Sequence, residues 1–356
     1  MLEIVAVRER FDAIGRIGAA AICAGLLAMV LAGFGLGGAR PPTTYVGAKG
    51  DPYLYEHIIE RVRSGQSYYG AAVGEQRLES YPLRPFLAVR PPALAVVLAA
   101  LPSASADRIA LEVLCGVTFM AWIWRLRSLM DRPVGFAIMA CMTAASALTA
   151  LGAQSYTLHE IWCGELIALS LAVHGRERWL PSVLIGVAAV TVRELAAAYL
   201  VLMLVMALRD GRQGEARGWA LGLLVFAMGL LAHAYVLSTL VRATDLGSPG
   251  WFGLGGWRYV LAAISWNPTL ILAPHWLVIV AVPFTLLGVA ALAGPLGDRV
   301  ALTIFAYLLA FAIVGRPDNA YWGLMLGPLW PLGLVYLPST LKHMGRSMFA
   351  ASSARN

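Results

Sequence analysis

Runs of apolar residues, separated by short polar stretches, recur along most of the chain. They lie near residues 14–38, 91–102, 106–124, 133–151, 157–174, 180–192, 194–208, 217–240, 270–294, 299–315 and 320–338. A helix needs about 20 residues to cross roughly 30 Å of hydrocarbon. The longer runs therefore predict transmembrane helices, and the shortest predict half-helices, re-entrant segments or helices buried behind their neighbours. The predicted fold class is an all-α polytopic membrane protein with about 10–11 transmembrane or half-spanning helices.

The composition agrees with this fold class. Of the 356 residues, 59% are hydrophobic and 13% are charged, against about 45–50% apolar and about 25% charged in soluble domains. Because no soluble-looking block interrupts the apolar runs, residues 1–356 are predicted to form a single integral membrane domain. The four cysteines lie within apolar runs and lack the spacing of a disulfide or zinc framework. The net charge of +7 is nearly all arginine, and it indicates loops that face anionic lipid, not a nucleic-acid partner.

The arginine-rich loops predict which side of the membrane each loop occupies. The positive-inside rule is obeyed throughout if these loops and the N-terminus are cytoplasmic, with run 14–38 as a signal anchor. Residues 180–208 must then form a hairpin that enters and leaves on the cytoplasmic side. Residues 91–124 must make one net crossing.

Under this topology the notable polar groups collect on the outer face. Two large outer loops cover residues 39–90 and 241–269, and short outer turns lie near Gln154, Arg193 and Arg316. The predicted location is a bacterial inner membrane, with the polar site facing the periplasm.

The first outer loop contains the most informative segment, which begins at Gly50-Asp51-Pro52. Apolar side chains follow at helical spacing and predict an amphipathic helix on the membrane surface; they are Leu54, Tyr55, Ile58, Ile59 and Val62. Asp51 followed by Pro52 is an N-cap signal with proline at the first helical position. Asp51 therefore has two interpretations, a helix cap and an acid with a chemical role.

Arg193 and Glu194 are adjacent charges between two short apolar runs. An ionisable residue inside a membrane is a functional-site hypothesis by default. One interpretation is a charge pair that satisfies itself at the tip of the hairpin. The other is that Arg193 binds a lipid phosphate, because a guanidinium fork matches phosphate oxygens bidentately.

Three further polar segments supply candidate residues. Gln154, His159 and Glu160 lie at the turn before run 157–174. His159-Glu160 is not a zinc-protease motif, because Cys163 takes the place of the second histidine. The other two segments contain Arg84, in a tyrosine-proline stretch, and Arg316 with Asp318, in a turn that interfacial aromatics also explain.

Taken in order, these features resemble the GT-C superfamily of membrane glycosyltransferases, especially mannosyltransferase-like members that use a polyprenyl-phosphate sugar donor. The shared order is a first span, a long outer loop with an early acid and a surface helix, a short second segment, a glutamine turn and a short hairpin with a basic tip. The resemblance implies a GT-C-like core. The chain departs from the family in lacking a carboxy-terminal soluble domain and in having Glu194 directly after Arg193.

The resemblance also implies a function. A sugar would move from the polyprenyl-phosphate donor to a glycan or lipid acceptor at the outer face, with inversion. Asp51 would be the general base, and Arg193, with Arg316 or Arg84, would neutralise the departing phosphate. The remaining implied substrate-binding residues are Glu194, Gln154, His159, Glu160, Asp318 and Tyr55. The predicted partners are the donor, the acceptor and membrane lipids; no cofactor is predicted, and a divalent metal is left open.

Two other classes of function stay open. In a lipid or solute transporter or flippase, the basic outer cavity would be a headgroup site and Asp51 only a cap. In a non-catalytic assembly protein, the outer loop would dock a partner.

Overall fold

A computed structural model describes residues 10–11, 14–36, 49–127, 133–152, 154–250 and 253–349. The fold is all-helical, with 78% helix. In these ranges the only strand-like pairing is an isolated bridge between Arg84 and Gly247. The predicted all-α class is therefore confirmed, whereas a GT-C-like core stays a prediction.

Fourteen α-helices lie in the described ranges. They are α1 (Arg16–Gly35), α2 (Asp51–Arg63), α3 (Tyr68–Leu78), α4 (Ala93–Ala99), α5 (Ala104–Leu126), α6 (Pro133–Leu151), α7 (His159–Val173), α8 (Leu180–Val192), α9 (Ala197–Arg209), α10 (Gln213–Leu240), α11 (Gly256–Ser265), α12 (His275–Ala291), α13 (Gly294–Val314) and α14 (Leu337–Phe349).

Four of the described helices, α1, α5, α10 and α13, are long and apolar enough to cross a membrane. These helices support the prediction of a helical membrane protein. Helices α8 and α9 have 13 residues each, fewer than the about 20 that a full crossing needs. The segments Asp318–Leu326 and Trp330–Phe349, bent by 61° at the break between them, are together long and apolar enough for a fifth, broken span or a re-entrant loop. Whether the short helices are half-spanning stays a prediction.

The apolar run after α13 is interrupted in the structure. A membrane segment was predicted near 320–338, and the chain there forms two 3-10 segments, Pro317–Leu326 and Trp330–Leu334. Prolines and glycines at these positions interrupt regular α-helix, and the backbones approach closely: a Cβ on Gly323 would lie 1.8 Å from the Ala263 carbonyl oxygen. The two predicted outer loops also contain helices that the pattern did not indicate, α3 and α11; positions 39–48 lie outside the described residues.

The chain divides into two compact units. Unit 1 comprises Met1–Pro41, Trp122–Ala145 and Leu254–Asn356, and unit 2 comprises Pro42–Ala121 and Ser146–Gly253. In unit 1, α11 packs against the Pro317–Leu326 segment, and α12 packs against Trp330–Leu334. In unit 2, α7 packs against α8, α9 against α10, and α2 against α3 and α4. The prediction of a single membrane domain was not tested.

Helix α2 forms where the amphipathic pattern predicted it. Leu54, Ile58 and Ile59 are buried, and Glu60 is exposed. Burying such aliphatic side chains contributes about 1.5–3 kcal/mol each. Two ion pairs fix the last turn of the helix within unit 2: Arg63 Nη2 lies 2.6 Å from Asp107 Oδ2, and Arg61 pairs with Glu75 at 2.5 Å. Helix α2 is thus fixed by ion pairs to α3 and α5.

We expect Gly288→Ala to destabilise unit 1 strongly. A Cβ at Gly288 would lie 1.6 Å from the carbonyl oxygen of Gly333, so the backbones of α12 and Trp330–Leu334 would have to separate. Overpacking typically costs about 1–3 kcal/mol, and thermal unfolding of the detergent-solubilised protein would measure this loss. Gly25→Ala in α1 is the matched control, because its Cβ would meet nothing within 4 Å. Equal melting temperatures for the two variants would contradict the close approach.

Candidate functional site

A buried cluster of four charges lies in unit 2 at the break between α8 and α9. Arg193 is fully buried; its Nε lies 2.9 Å from Glu160 Oε1, and its Nη1 lies 2.5 Å from Glu194 Oε1. The same Glu194 oxygen lies 3.6 Å from Arg90 Nη1. Two guanidinium groups and two carboxylates therefore neutralise one another in a site that water hardly reaches.

Local structure explains why these charges meet. Arg193 has extended backbone angles (φ −144°, ψ 119°) between two helices, so its side chain leaves the regular helical surface. Glu160 is in the first turn of α7, where the helix dipole favours an acid. A buried guanidinium is costly unless it is paired and hydrogen-bonded. The break and the start of α7 are therefore held together by charge.

Next to this cluster is a small recess. Its walls are Tyr55, Ile58, Ile59, Tyr68, Arg90, Leu94, Ala95 and His159. Arg90 Nε donates to the Tyr55 hydroxyl at 3.0 Å, and the Tyr68 hydroxyl donates to the Arg90 carbonyl at 2.6 Å. The ring of His159 meets the Tyr55 ring edge-on at 4.8 Å. Arg90, not Arg193, is thus the cation that lines the recess.

The recess contains one polar atom without a hydrogen bond. Among the described residues, Nδ1 of the buried His159 has no hydrogen-bonding partner. Buried polar atoms are rarely left unsatisfied, and each exception calls for an explanation such as an unseen ligand or water. His159 Nδ1 is therefore available to a polar group that enters the recess.

The electrostatic environment of Tyr55 shows which charged residues lie near it. Burial raises the pKa of its phenol, and the positive charge of Arg90 opposes that rise. Smaller effects come from Asp51 and Glu160, which raise the pKa of Tyr55, and from Arg193, which lowers it. The structure thus brings Asp51, Glu160 and Arg193, three residues singled out from the sequence, close to Tyr55.

Asp51 does not cap the helix in the way its sequence suggested. It is the first residue of α2, and Gly50 precedes it as the N-cap, with a φ of +83° that favours glycine. The Asp51 side chain is only 8% exposed. Burial raises the pKa of the Tyr81 phenol, and the negative charge of Asp51 raises it further. The acid is therefore enclosed beside a phenol at the start of α2.

Gln154 lies in unit 2 and binds α2. Its Nε2 donates to Glu56 Oε2 at 2.6 Å, and the Tyr156 hydroxyl donates to Glu56 Oε1 at 2.7 Å. Both carboxylate oxygens of Glu56 are thus engaged by the turn before α7. This contact fixes α2 to that turn, next to the recess.

The three other predicted residues have local roles in the structure. Arg84 is exposed, and its Nε donates to the carbonyl of Asp245 at 2.9 Å. Asp245 itself accepts two bonds from Arg77, at 2.8 and 2.7 Å, and that contact holds the pKa of Asp245 well below its usual range. In unit 1, Arg316 pairs with Asp318 two positions later in the same turn, with Nε 3.1 Å from Oδ1. This pairing agrees with the interpretation of that segment as a turn.

Arg90 and Glu56 contribute to the site although neither was predicted as a site residue. Arg90 stands directly before two prolines and a short apolar helix. A charged residue beside an apolar segment could have marked it as a candidate site residue. Glu56 gives no such signal, because its partners Gln154 and Tyr156 are remote in sequence. The described residues contain no group of three or more His, Cys, Asp or Glu side chains that could hold a metal ion.

We expect Glu160→Gln to destabilise the protein by about 3 kcal/mol, since breaking a buried ion pair leaves a charge uncompensated. Arg193 would keep only Glu194 as a carboxylate partner. Unfolding in detergent measures the effect, with Glu177→Gln as the control because Glu177 is exposed. A melting temperature as high as that of the control would show that the Glu160 contact adds nothing to stability.

Comparison with protein-family models, with curated proteins and with solved structures finds no match to this chain.

Proposed function

We propose that the protein is a membrane glycosyltransferase that moves a sugar from a polyprenyl-phosphate donor to a glycan or lipid acceptor. The observation that carries the proposal is the enclosure of Asp51 at the start of the surface helix α2, in the same neighbourhood as Arg90 and Arg193. A carboxylate facing a hydroxyl supplies a base, and guanidinium groups nearby stabilise a phosphate leaving group.

In the proposed reaction, the acceptor hydroxyl attacks the anomeric carbon of the sugar. A bond forms between the acceptor oxygen and that carbon, and the bond from the carbon to the phosphate oxygen breaks with its electrons on the phosphate. The hydroxyl proton goes to Asp51. Attack opposite the leaving group inverts the anomeric centre.

The proposed roles of the two arginines differ. Arg90 lines the recess, and its Nη1 is 3.6 Å from Glu194, so its proposed role is direct contact with the phosphate. Arg193 is fully buried between two carboxylates, so its proposed contribution is long-range charge and the placement of Glu194. His159 Nδ1 offers the phosphate or the sugar a further hydrogen bond.

We place this reaction at the outer face of a bacterial inner membrane, because the arginine-rich loops then lie in the cytoplasm. The polyprenyl tail would bind between apolar helices at about 0.8 kcal/mol per buried methylene.

Asp51→Asn is expected to lower sugar transfer at least about 100-fold, the usual contribution of a general base. Donor binding should stay unchanged, because the amide keeps the size of the side chain. The measurement incubates purified protein with radiolabelled polyprenyl-phosphate sugars and membrane acceptors. Asp210→Asn is the matched control, since Asp210 is exposed beside Arg209. Unchanged transfer by Asp51→Asn would remove this residue from catalysis, and donor lipid moved across vesicles without sugar transfer would favour a flippase.

Arg90→Gln is expected to weaken donor binding by about 10-fold or more, the effect of losing a hydrogen bond to a charged group. Arg90→Lys should recover part of the affinity, because it keeps the charge and loses the fork. Equilibrium binding of the labelled donor separates this effect from catalysis. Arg209→Gln serves as the control; a donor affinity equal to that of the control would exclude Arg90 from the donor site.

A further inference from the structure

A second group of arginines in unit 2 has no role in the proposed reaction. Arg176 and Arg178 are exposed in the loop between α7 and α8, and Arg217 is exposed near the start of α10. Within the described parts of the chain, the side chains of these three arginines make no ion pair or hydrogen bond. Glu177 is the one acid in the loop, so three positive charges face one negative charge.

A buried network fixes this loop to α10. His174 Nε2 lies 2.8 Å from Glu215 Oε1, and Arg212 Nη1 lies 2.7 Å from Glu215 Oε2. Arg212 Nη2 also donates to the carbonyl of Gly175 at 3.2 Å and to the carbonyl of Arg176. The loop backbone is therefore held in place, and the arginines it carries project from a fixed base.

Trp179 places the same loop beside Arg217. A Cβ on Gly218 would lie 2.6 Å from the Trp179 ring, and one on Gly214 would lie 3.7 Å from it. The ring therefore covers the first turns of α10, which is one of the four candidate spans. A tryptophan at the polar end of a span is typical of the membrane interface, and the neighbouring Leu180 is 52% exposed.

We propose that Arg176, Arg178, Arg217 and Trp179 form a binding surface for the headgroup phosphates of anionic phospholipids in the adjacent leaflet. Guanidinium forks bind phosphate oxygens bidentately, and basic segments next to a span are attracted to anionic lipid. The exposed Leu180 and the ring of Trp179 favour a lipid over an acidic protein surface as the ligand. The acyl chains of a lipid would cover both of these apolar side chains. This inference does not depend on the proposed glycosyltransferase activity.

Native mass spectrometry of the purified full-length protein tests the surface, with phosphatidylglycerol and phosphatidylcholine added in equal amounts. The unaltered protein should retain phosphatidylglycerol in preference to phosphatidylcholine. The triple change Arg176→Gln, Arg178→Gln, Arg217→Gln should reduce phosphatidylglycerol affinity by about five-fold per arginine. Because the three side chains are exposed, the melting temperature should not change.

The control makes the same change in charge elsewhere. Arg16→Gln, Lys342→Gln and Arg346→Gln remove three exposed cations of unit 1 and should leave most of the phosphatidylglycerol preference intact. An equal loss in this control would mean that only overall charge matters and would overturn the proposal. So would full retention by the first triple variant, or displacement of the lipid by inorganic phosphate at equal concentration, which would indicate a soluble ligand.

Discussion

The arrangement of unit 2 depends on the burial of one guanidinium group. Removing Arg193 from water costs several kcal/mol unless carboxylates compensate it, and Glu160 and Glu194 supply that compensation at 2.9 and 2.5 Å. Glu160 belongs to the start of α7, so the requirement for charge balance fixes that start to the break between α8 and α9. Glu194 in turn is shared with Arg90, which brings the segment before α4 to the same point. The recess exists where these segments meet.

This balance of charge limits how the site can receive an anion. The four charges of the cluster already cancel, and Asp51 adds a negative charge nearby. A phosphate must therefore draw a cation away from an existing partner. The two arginines differ here, because the contact of Arg193 with Glu194 is 2.5 Å long and that of Arg90 is 3.6 Å long. In the proposed reaction Arg90 is the movable cation, and Arg193 keeps Glu194 from becoming an unpaired buried acid when Arg90 turns.

Local patterns in the sequence were sufficient to predict α2, the short helices α8 and α9 and the charged break between them. Each of these depends on hydrophobic spacing or on a charge that interrupts it, and both are local properties. The cap of α2 was misassigned by one residue, because Asp-Pro is a strong signal and the left-handed Gly50 gives a weaker one. The bond from Gln154 to Glu56 and the pairing of Arg90 could not be predicted, since they join residues far apart in the chain. The break within the segment over 320–338 could not be predicted, because an apolar composition does not reveal a close backbone approach.

Helix α7 connects the two polar regions of unit 2. His159 and Glu160 begin it, and His174, which follows its last residue, joins the network of Glu215 and Arg212. Fifteen helical residues span only about 22 Å, which is less than the roughly 30 Å of a hydrocarbon core. Polar groups at both ends of so short a helix would face lipid if α7 stood alone. Nearly every residue of α7 is instead buried by protein, so the neighbouring helices insulate both networks. A short and fully enclosed helix of this kind allows one unit to carry a recess at one end and a basic surface at the other.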